Sequence, residues 1–131
     1  MASLVPNVGK AIISGRMFGA TPTQAEPRYL GWGTGAGAGA AGSTDLSTPA
    51  TEARVTGTSS QVTTTQTNDT HQVVGTLTAN ANKTITNLGI FDAAGSGSPP
   101  SGGVLYAIFD GLSQALNSGD SIQFSARIQY T

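Results

Sequence analysis

The sequence predicts an all-β protein, an antiparallel β-sandwich of jelly-roll or immunoglobulin-like type, and three observations support this. Residues 121–130 alternate strictly between polar and apolar side chains, which is the period of a strand with one face packed and the other in water. Short β-prone segments recur roughly every ten residues, separated by turns rich in Gly, Asn, Ser and Pro. The composition is rich in Thr, Ser and Gly and poor in side chains with catalytic chemistry.

The sequence predicts an extended N-terminal arm over residues 1–8 and a single sandwich domain over residues 9–131. An early proline and the lack of periodicity favour the arm. Residues 8–18 fit either a short helix or a strand. Their apolar residues approximate a 3.6-residue period, whereas Gly15 would cost a helix up to ~1 kcal/mol. Residues 19–27 contain two prolines and predict a loop.

The rest of the chain predicts strands separated by loops. The segment 55–67, rich in Thr and Ser, predicts an edge strand that forms a hairpin with 71–79. The most continuous apolar run, 104–109, predicts a strand in the centre of a sheet. Glycine at alternate positions of 33–42 predicts a long, mobile loop, because it provides no side chains for packing. The other predicted strands lie at 28–32, 85–91 and 112–116, and 92–103 predicts a surface loop.

The predicted core is thin and the net charge is small. Leu, Ile, Val and Phe make up 26 of 131 residues, close to the roughly 20% below which chains tend to be disordered. Disorder of that kind also needs a high net charge, and this chain has six basic and seven acidic residues. The composition therefore favours a folded module that gains stability by oligomerising or by docking on a partner.

Several partners are disfavoured on similar grounds. No basic patch is present to neutralise phosphates, so we expect no nucleic-acid binding. The longest apolar runs are far short of the ~20 residues that cross a bilayer, so we expect no membrane partner. Residues 1–9 lack the charged and apolar regions of a secretory signal. The chain has no cysteine, which removes thiolate and zinc–sulfur chemistry.

No residue pattern predicts a catalytic, cofactor or metal site, so we expect neither an enzyme nor a cofactor. The glycine-rich loop lacks the lysine that a phosphate-binding loop needs after its last glycine, Gly42. His71 is the one histidine and flanks a polar turn, which predicts a solvated side chain rather than a catalytic base. The seven carboxylates are scattered singly, without the spacing of a calcium loop.

Trp32 is the one tryptophan and lies between two glycines at the end of a predicted strand. A half-buried position in the core is the first expectation for its ring. The alternative is an exposed aromatic that, with Tyr29, contacts a protein partner or a sugar. A carbohydrate-binding sandwich is therefore one of the alternative functions.

Short motifs follow one another in a recognisable order over roughly residues 27–130. They are Pro27–Gly35 (PRYLGWGTG), Asp45-Leu46 with Glu52-Ala-Arg54, Ile85–Asp92 (ITNLGIFD), Gly103–Ala107 (GVLYA) and Ser118–Phe124 (SGDSIQF) leading into Ile128. Together they resemble a group of small bacteriophage virion proteins, which includes capsid decoration (cement) proteins and the N-terminal attachment domains of tail fibres. One departure is Asn87, which stands where a Glu is common in that group.

The resemblance implies a β-sandwich without enzymatic activity that assembles on a virion, often as a homotrimer. We therefore expect a capsid decoration protein on the outer surface of the head, where it bridges subunits of the major capsid protein. A tail-fibre or baseplate adaptor is the alternative, since the resemblance does not separate head from tail. The predicted contact residues are Arg28, Tyr29 and Trp32 as energetic anchors, together with Pro6, Gly35, Gly37, Gly39 and Pro99 in the arm and loops.

Overall fold

The computed structural model describes residues 2–19 and 24–131, and 42% of the structure is strand. Within those residues there is one helix, and all strand pairing is antiparallel. The elements are β1 (Ala2–Leu4), α1 (Asn7–Met17), β2 (Tyr29–Gly33), β3 (Val55–Thr56), β4 (Thr58–Val62), β5 (Thr70–Thr78), β6 (Lys83–Ile85), β7 (Asn87–Phe91), β8 (Leu105–Asp110), β9 (Gln114–Leu116) and β10 (Ser121–Gln129).

The strands form three sheets. The first has five strands in the order β1-β8-β7-β2-β3, the second has three in the order β10-β5-β4, and β6 pairs with β9 in the third. The predicted hairpin is confirmed as β4 and β5, which pair from Thr58 opposite Val74 to Val62 opposite Thr70. The apolar run at 104–109 becomes β8, which has a strand on each side as predicted.

The five-stranded and three-stranded sheets share one apolar core. Trp32 of β2 packs edge-on against Phe124 of β10, with ring centroids 6.2 Å apart. Strand β10 buries Ala126 and Ile128, half-buries Ile122 and Phe124, and exposes most of its odd-numbered side chains, as the alternation predicted. The shared cluster also includes Leu30, Ile90 and Tyr106 from one sheet and Val73, Leu77, Ala126 and Ile128 from the other.

The five-stranded sheet is covered on both faces. All residues of β7 are buried, and so are the first five of β8. A second apolar cluster, of Leu46, Phe91, Leu105 and Ile108, lies outside the shared core, and Val8 and Tyr29 pack against it. Long loops therefore cover the face of this sheet that the three-stranded sheet leaves free.

The N-terminal segment is part of the fold. Residues 2–4 of the predicted arm form β1, whose Leu4 lies opposite Ile108 of β8, while Met1 lies outside the described residues. Residues 8–18, which the sequence left undecided, belong largely to the helix α1. This helix begins at Asn7, so it crosses the predicted boundary between arm and domain. Part of the predicted loop at 19–27 also lies outside the described residues.

Gly9 allows α1 to lie directly on the backbone of β8. A Cβ at this position would be 2.2 Å from the carbonyl oxygen of Tyr106, a distance that no side chain can occupy. The helix therefore needs glycine here, although glycine lowers its intrinsic helix propensity by about 1 kcal/mol relative to alanine.

The glycine-rich segment is fastened by hydrogen bonds, unlike the mobile loop that the sequence predicts. The N–H of Gly39 donates to the Asp110 carboxylate at 2.6 Å, and the N–H of Gly37 donates to the Ser47 hydroxyl at 3.1 Å. A Cβ on Gly35 would lie 2.2 Å from the same hydroxyl oxygen. The alternate glycines thus allow the segment to pack closely against the chain around Ser47.

We expect Gly9→Ala to destabilise the fold by about 1–3 kcal/mol, because the added methyl group overlaps backbone that cannot move independently. The matched control is Gly15→Ala in the same helix, where the three atoms nearest the added Cβ all belong to the movable side chain of Gln24. Urea denaturation measures both. The account is contradicted if Gly9→Ala is as stable as Gly15→Ala.

Candidate functional site

A groove of about 580 Å³ lies between α1 and the strands β4, β5 and β8. Its apolar wall includes Ile12 and Ile13 of α1 and the ring of Tyr106. Its polar wall includes Ser59 and His71 on neighbouring strands. A concave surface of this volume, mostly apolar with a few converging polar groups, is typical of a binding site.

His71 lies on β5 and is half-buried in this groove, so the prediction of a solvated histidine at a turn is wrong. Its Nε2 is 2.9 Å from the hydroxyl oxygen of Ser59, and its ring packs edge-on against Tyr106 with centroids 5.5 Å apart. Burial lowers the pKa of His71, and this outweighs the opposing effect of the Glu26 charge. The imidazole is therefore held in its neutral form.

The Ser59–His71 pair has part of the geometry of a hydrolytic site. In a catalytic triad a carboxylate bonds the second ring nitrogen and orients the base. Within residues 2–19 and 24–131, no carboxylate is hydrogen-bonded to His71. The pair therefore provides hydrogen-bonding groups to the groove without the third member of a triad.

The hydroxyl groups of Tyr106 and Tyr130 are hydrogen-bonded to each other at the groove. Burial and the hydrogen bond to Tyr130 raise the pKa of Tyr106 well above its usual range, so its hydroxyl keeps its proton. Large apolar side chains are exposed beside it: Met17 is 79% exposed, Phe18 is 75% exposed and Tyr130 is 47% exposed. Met17 and Tyr130 line the groove itself.

The predicted contact residues are not brought together in one site. Arg28 is exposed, with its guanidinium 3.8 Å from Glu26 and 5.9 Å from the ring centre of the half-buried Tyr29. Pro6 is buried as the residue before α1. Among the loop residues, Gly37 and Pro99 are exposed, whereas Gly35 and Gly39 are partly buried.

Trp32 is 2% exposed and belongs to the core, more deeply than the half-buried position expected for it. Its indole N–H donates to Glu52 at 3.1 Å, and Glu52 also accepts hydrogen bonds from the Lys83 ammonium and the Asn80 N–H. Burial would raise the pKa of Glu52, but these bonds outweigh it and keep the pKa below its usual value. Because the indole ring is enclosed, it presents no face on which a sugar could stack.

Arg54 was named in the sequence only as part of the motif Glu52-Ala-Arg54, and the structure shows that it has a structural role. It is 7% exposed, and its guanidinium carbon lies 3.5 Å from the ring centre of Phe91. Its Nη1 donates to the carbonyl oxygens of Ala93 at 3.1 Å and Gly102 at 2.7 Å. Burial lowers the pKa of Arg54, opposed by nearby carboxylates, but an arginine remains protonated in proteins. This cation holds both ends of the 93–102 loop.

Asn87 is fully buried in β7. Its Nδ2 donates to the Ser47 carbonyl at 3.1 Å, which connects β7 to the segment that also holds the glycine-rich loop. The Asn87 side chain therefore has a structural role in positioning that loop.

Two kinds of site are absent from the described part of the chain. No group of three or more His, Asp or Glu side chains is placed there to hold a metal ion. Nor does that part contain a helix long and apolar enough to cross a membrane.

Comparison with known protein families, with curated proteins and with solved structures finds no match for this chain.

We expect Arg54→Ala to destabilise the protein by about 2–4 kcal/mol, because two carbonyl groups lose a charged donor and Phe91 loses its stacked cation. Hydrogen exchange should rise first in residues 93–102. The exposed Arg28→Ala serves as the control and should change stability by less than ~0.5 kcal/mol. Equal effects of the two substitutions would show that the buried arginine is not a structural anchor.

The lowered pKa of His71 predicts a pH-dependent stability. Unfolding restores a pKa near 6.5, so between that value and the lower folded-state pKa the unfolded chain binds more protons. Stability due to this group is therefore complete above about pH 6.5 and is lost as the pH falls through the folded-state pKa. Thermal unfolding between pH 7.5 and 5.5 should show a larger drop in Tm for the wild type than for His71→Gln. An identical drop in both proteins would contradict this assignment.

Proposed function

We propose that this chain is a bacteriophage structural protein, a decoration protein that binds the outer surface of the head and bridges neighbouring subunits of the major capsid protein. The order of motifs over residues 27–130, which resembles such virion proteins, supports the proposal. The proposal includes a finer fold assignment, a single antiparallel β-sandwich domain of jelly-roll or immunoglobulin-like type. The two sheets with a shared core are consistent with that architecture.

The observation that carries the proposal is the exposed apolar surface beside the groove. Met17 and Phe18 at the end of α1 expose most of their side chains to solvent, next to the half-exposed Tyr130. In the described residues these are the large apolar side chains that remain exposed, while the others are buried or half-buried. Exposed apolar surface next to a groove is typical of a protein–protein contact.

The loops favour mechanical attachment because internal hydrogen bonds hold them in place. Arg54 fastens the loop that contains Pro99, and Asp110 fastens the loop that contains Gly37. A contact surface that is ordered before binding loses less conformational entropy when it docks. Exposed Arg28 and half-buried Tyr29 lie at the start of β2 and belong to the residue types enriched in binding hot spots.

A tail-fibre or baseplate adaptor remains the second candidate, since the same motif order occurs in tail-fibre attachment domains. The two candidates differ in where the protein is found. A decoration protein covers heads that lack tails, whereas an adaptor is present only on particles with a tail.

Binding to purified heads that lack the protein tests the proposal. The wild-type chain should saturate these tailless heads, and the double variant Met17→Ser/Phe18→Ser should bind at least ~10-fold more weakly, since two apolar contacts are lost. The control is Lys10→Ala, an exposed position on the same helix that does not line the groove. Circular dichroism confirms folding of each variant.

Wild-type protein that does not bind tailless heads would overturn the decoration function. Binding that is equally strong for the double variant would overturn the assignment of this contact surface.

A further inference from the structure

Strand β10 leaves one long edge unpaired. It pairs with β5 over all nine of its residues, from Ser121 opposite Thr78 to Gln129 opposite Thr70. It is the terminal strand of its sheet, and no other described element runs along its second side. The backbone groups on that side therefore have no strand to bond with.

The hydrogen bonds at both ends of β10 define which backbone groups point outward. The Tyr130 N–H donates to the Asp69 carbonyl at 2.9 Å, and the Ala79 N–H donates to the Asp120 carbonyl at 2.8 Å. Along an antiparallel ladder, residue pairs that exchange two backbone hydrogen bonds alternate with pairs that exchange none. Even-numbered residues of β10 consequently bond to β5. The outward N–H and C=O groups belong to Ser121, Gln123, Ser125, Arg127 and Gln129.

This edge lacks the devices that usually prevent strand addition. Natural edge strands are short, or carry proline, lysine or a bulge. The edges of the five-stranded sheet, β1 and β3, have three and two residues, whereas β10 has nine residues and contains neither proline nor glycine nor lysine. Its one charged residue, Arg127, donates to Gln72 on the adjacent strand at 2.6 Å.

We propose that this edge binds the same strand of a second copy of the chain, antiparallel and across a two-fold axis at Ser125. A polypeptide strand is the occupant because only a backbone supplies alternating donors and acceptors at the spacing of a ladder. A second copy is the occupant because β10 complements itself. The two three-stranded sheets then form one continuous sheet of six strands.

The self-complementarity follows from the register that pairs all nine residues. In that register Ser125 lies opposite Ser125 of the second copy, and Gln123 lies opposite its Arg127, so no like charges meet. On the inner face Phe124 lies opposite Ala126 of the second copy, and Ile122 lies opposite its Ile128. Ile122 and Phe124 are only half-buried in the single chain, so pairing covers apolar surface that is otherwise wet.

This inference goes beyond the proposed function, because it concerns the free protein and requires no capsid. The homotrimer that the resemblance implies is a competing assembly, and the experiment separates the two. Failure of self-pairing leaves the head-binding experiment unaffected.

A single cysteine reports the register directly, because the chain has none of its own. Two residues that form a hydrogen-bonded pair in an antiparallel ladder have Cα atoms about 5.5 Å apart, which is within disulfide range. Ser125→Cys should therefore give a covalent dimer under mild oxidation. The matched control is Ser121→Cys on the same exposed face, whose two copies would lie about 27 Å apart and should remain unlinked.

Charge substitution gives a second measurement with opposite signs. Gln123→Lys places an ammonium opposite Arg127 of the second copy and should weaken the dimer severalfold in sedimentation equilibrium, whereas Gln123→Glu should strengthen it. A wild-type protein that stays monomeric or forms only trimers overturns the proposal. So does equal disulfide formation by Ser121→Cys and Ser125→Cys.

Discussion

The buried guanidinium of Arg54 determines how the outer face of the five-stranded sheet is covered. Burying a cation is costly unless hydrogen bonds and opposite charge compensate it. Here the compensation comes from the carbonyls of Ala93 and Gly102, the ring of Phe91 and the nearby carboxylates Asp45 and Asp92. The loops that provide these groups are fixed in place and cover the sheet face that the three-stranded sheet does not reach.

Two different kinds of surface result from this arrangement. On the five-stranded sheet the loops are held by side chains from distant strands, as the bond from Gly39 to Asp110 shows. On the three-stranded sheet the edge of β10 is bare, and the groove beside α1 carries exposed Met17 and Tyr130. Fixed loops suit docking on a rigid partner, whereas a bare strand edge suits pairing with another strand.

The sequence predicted the strands that show either a strict alternation of polar and apolar residues or a continuous apolar run. The period of two in β10 and the apolar run of β8 both correspond to strands in the structure. Long-range contacts were not predictable in the same way. The alternate glycines predicted a mobile loop because the residues that accept their hydrogen bonds, Ser47 and Asp110, lie outside the loop in the sequence. The groove was missed because α1, β4 and β8 form it together, and only the fold places His71 beside Ser59. The motif that contains Arg54 did not predict its burial, because the carbonyl groups that it bonds, of Ala93 and Gly102, are distant in sequence.

The central claim is that this chain acts by covering the joints between subunits of a larger shell. The most direct measurement is its copy number relative to the major capsid protein in purified virions, obtained by quantitative mass spectrometry. The account predicts a number of copies comparable to that of the shell subunit. A handful of copies per particle, found only on tails, would contradict it.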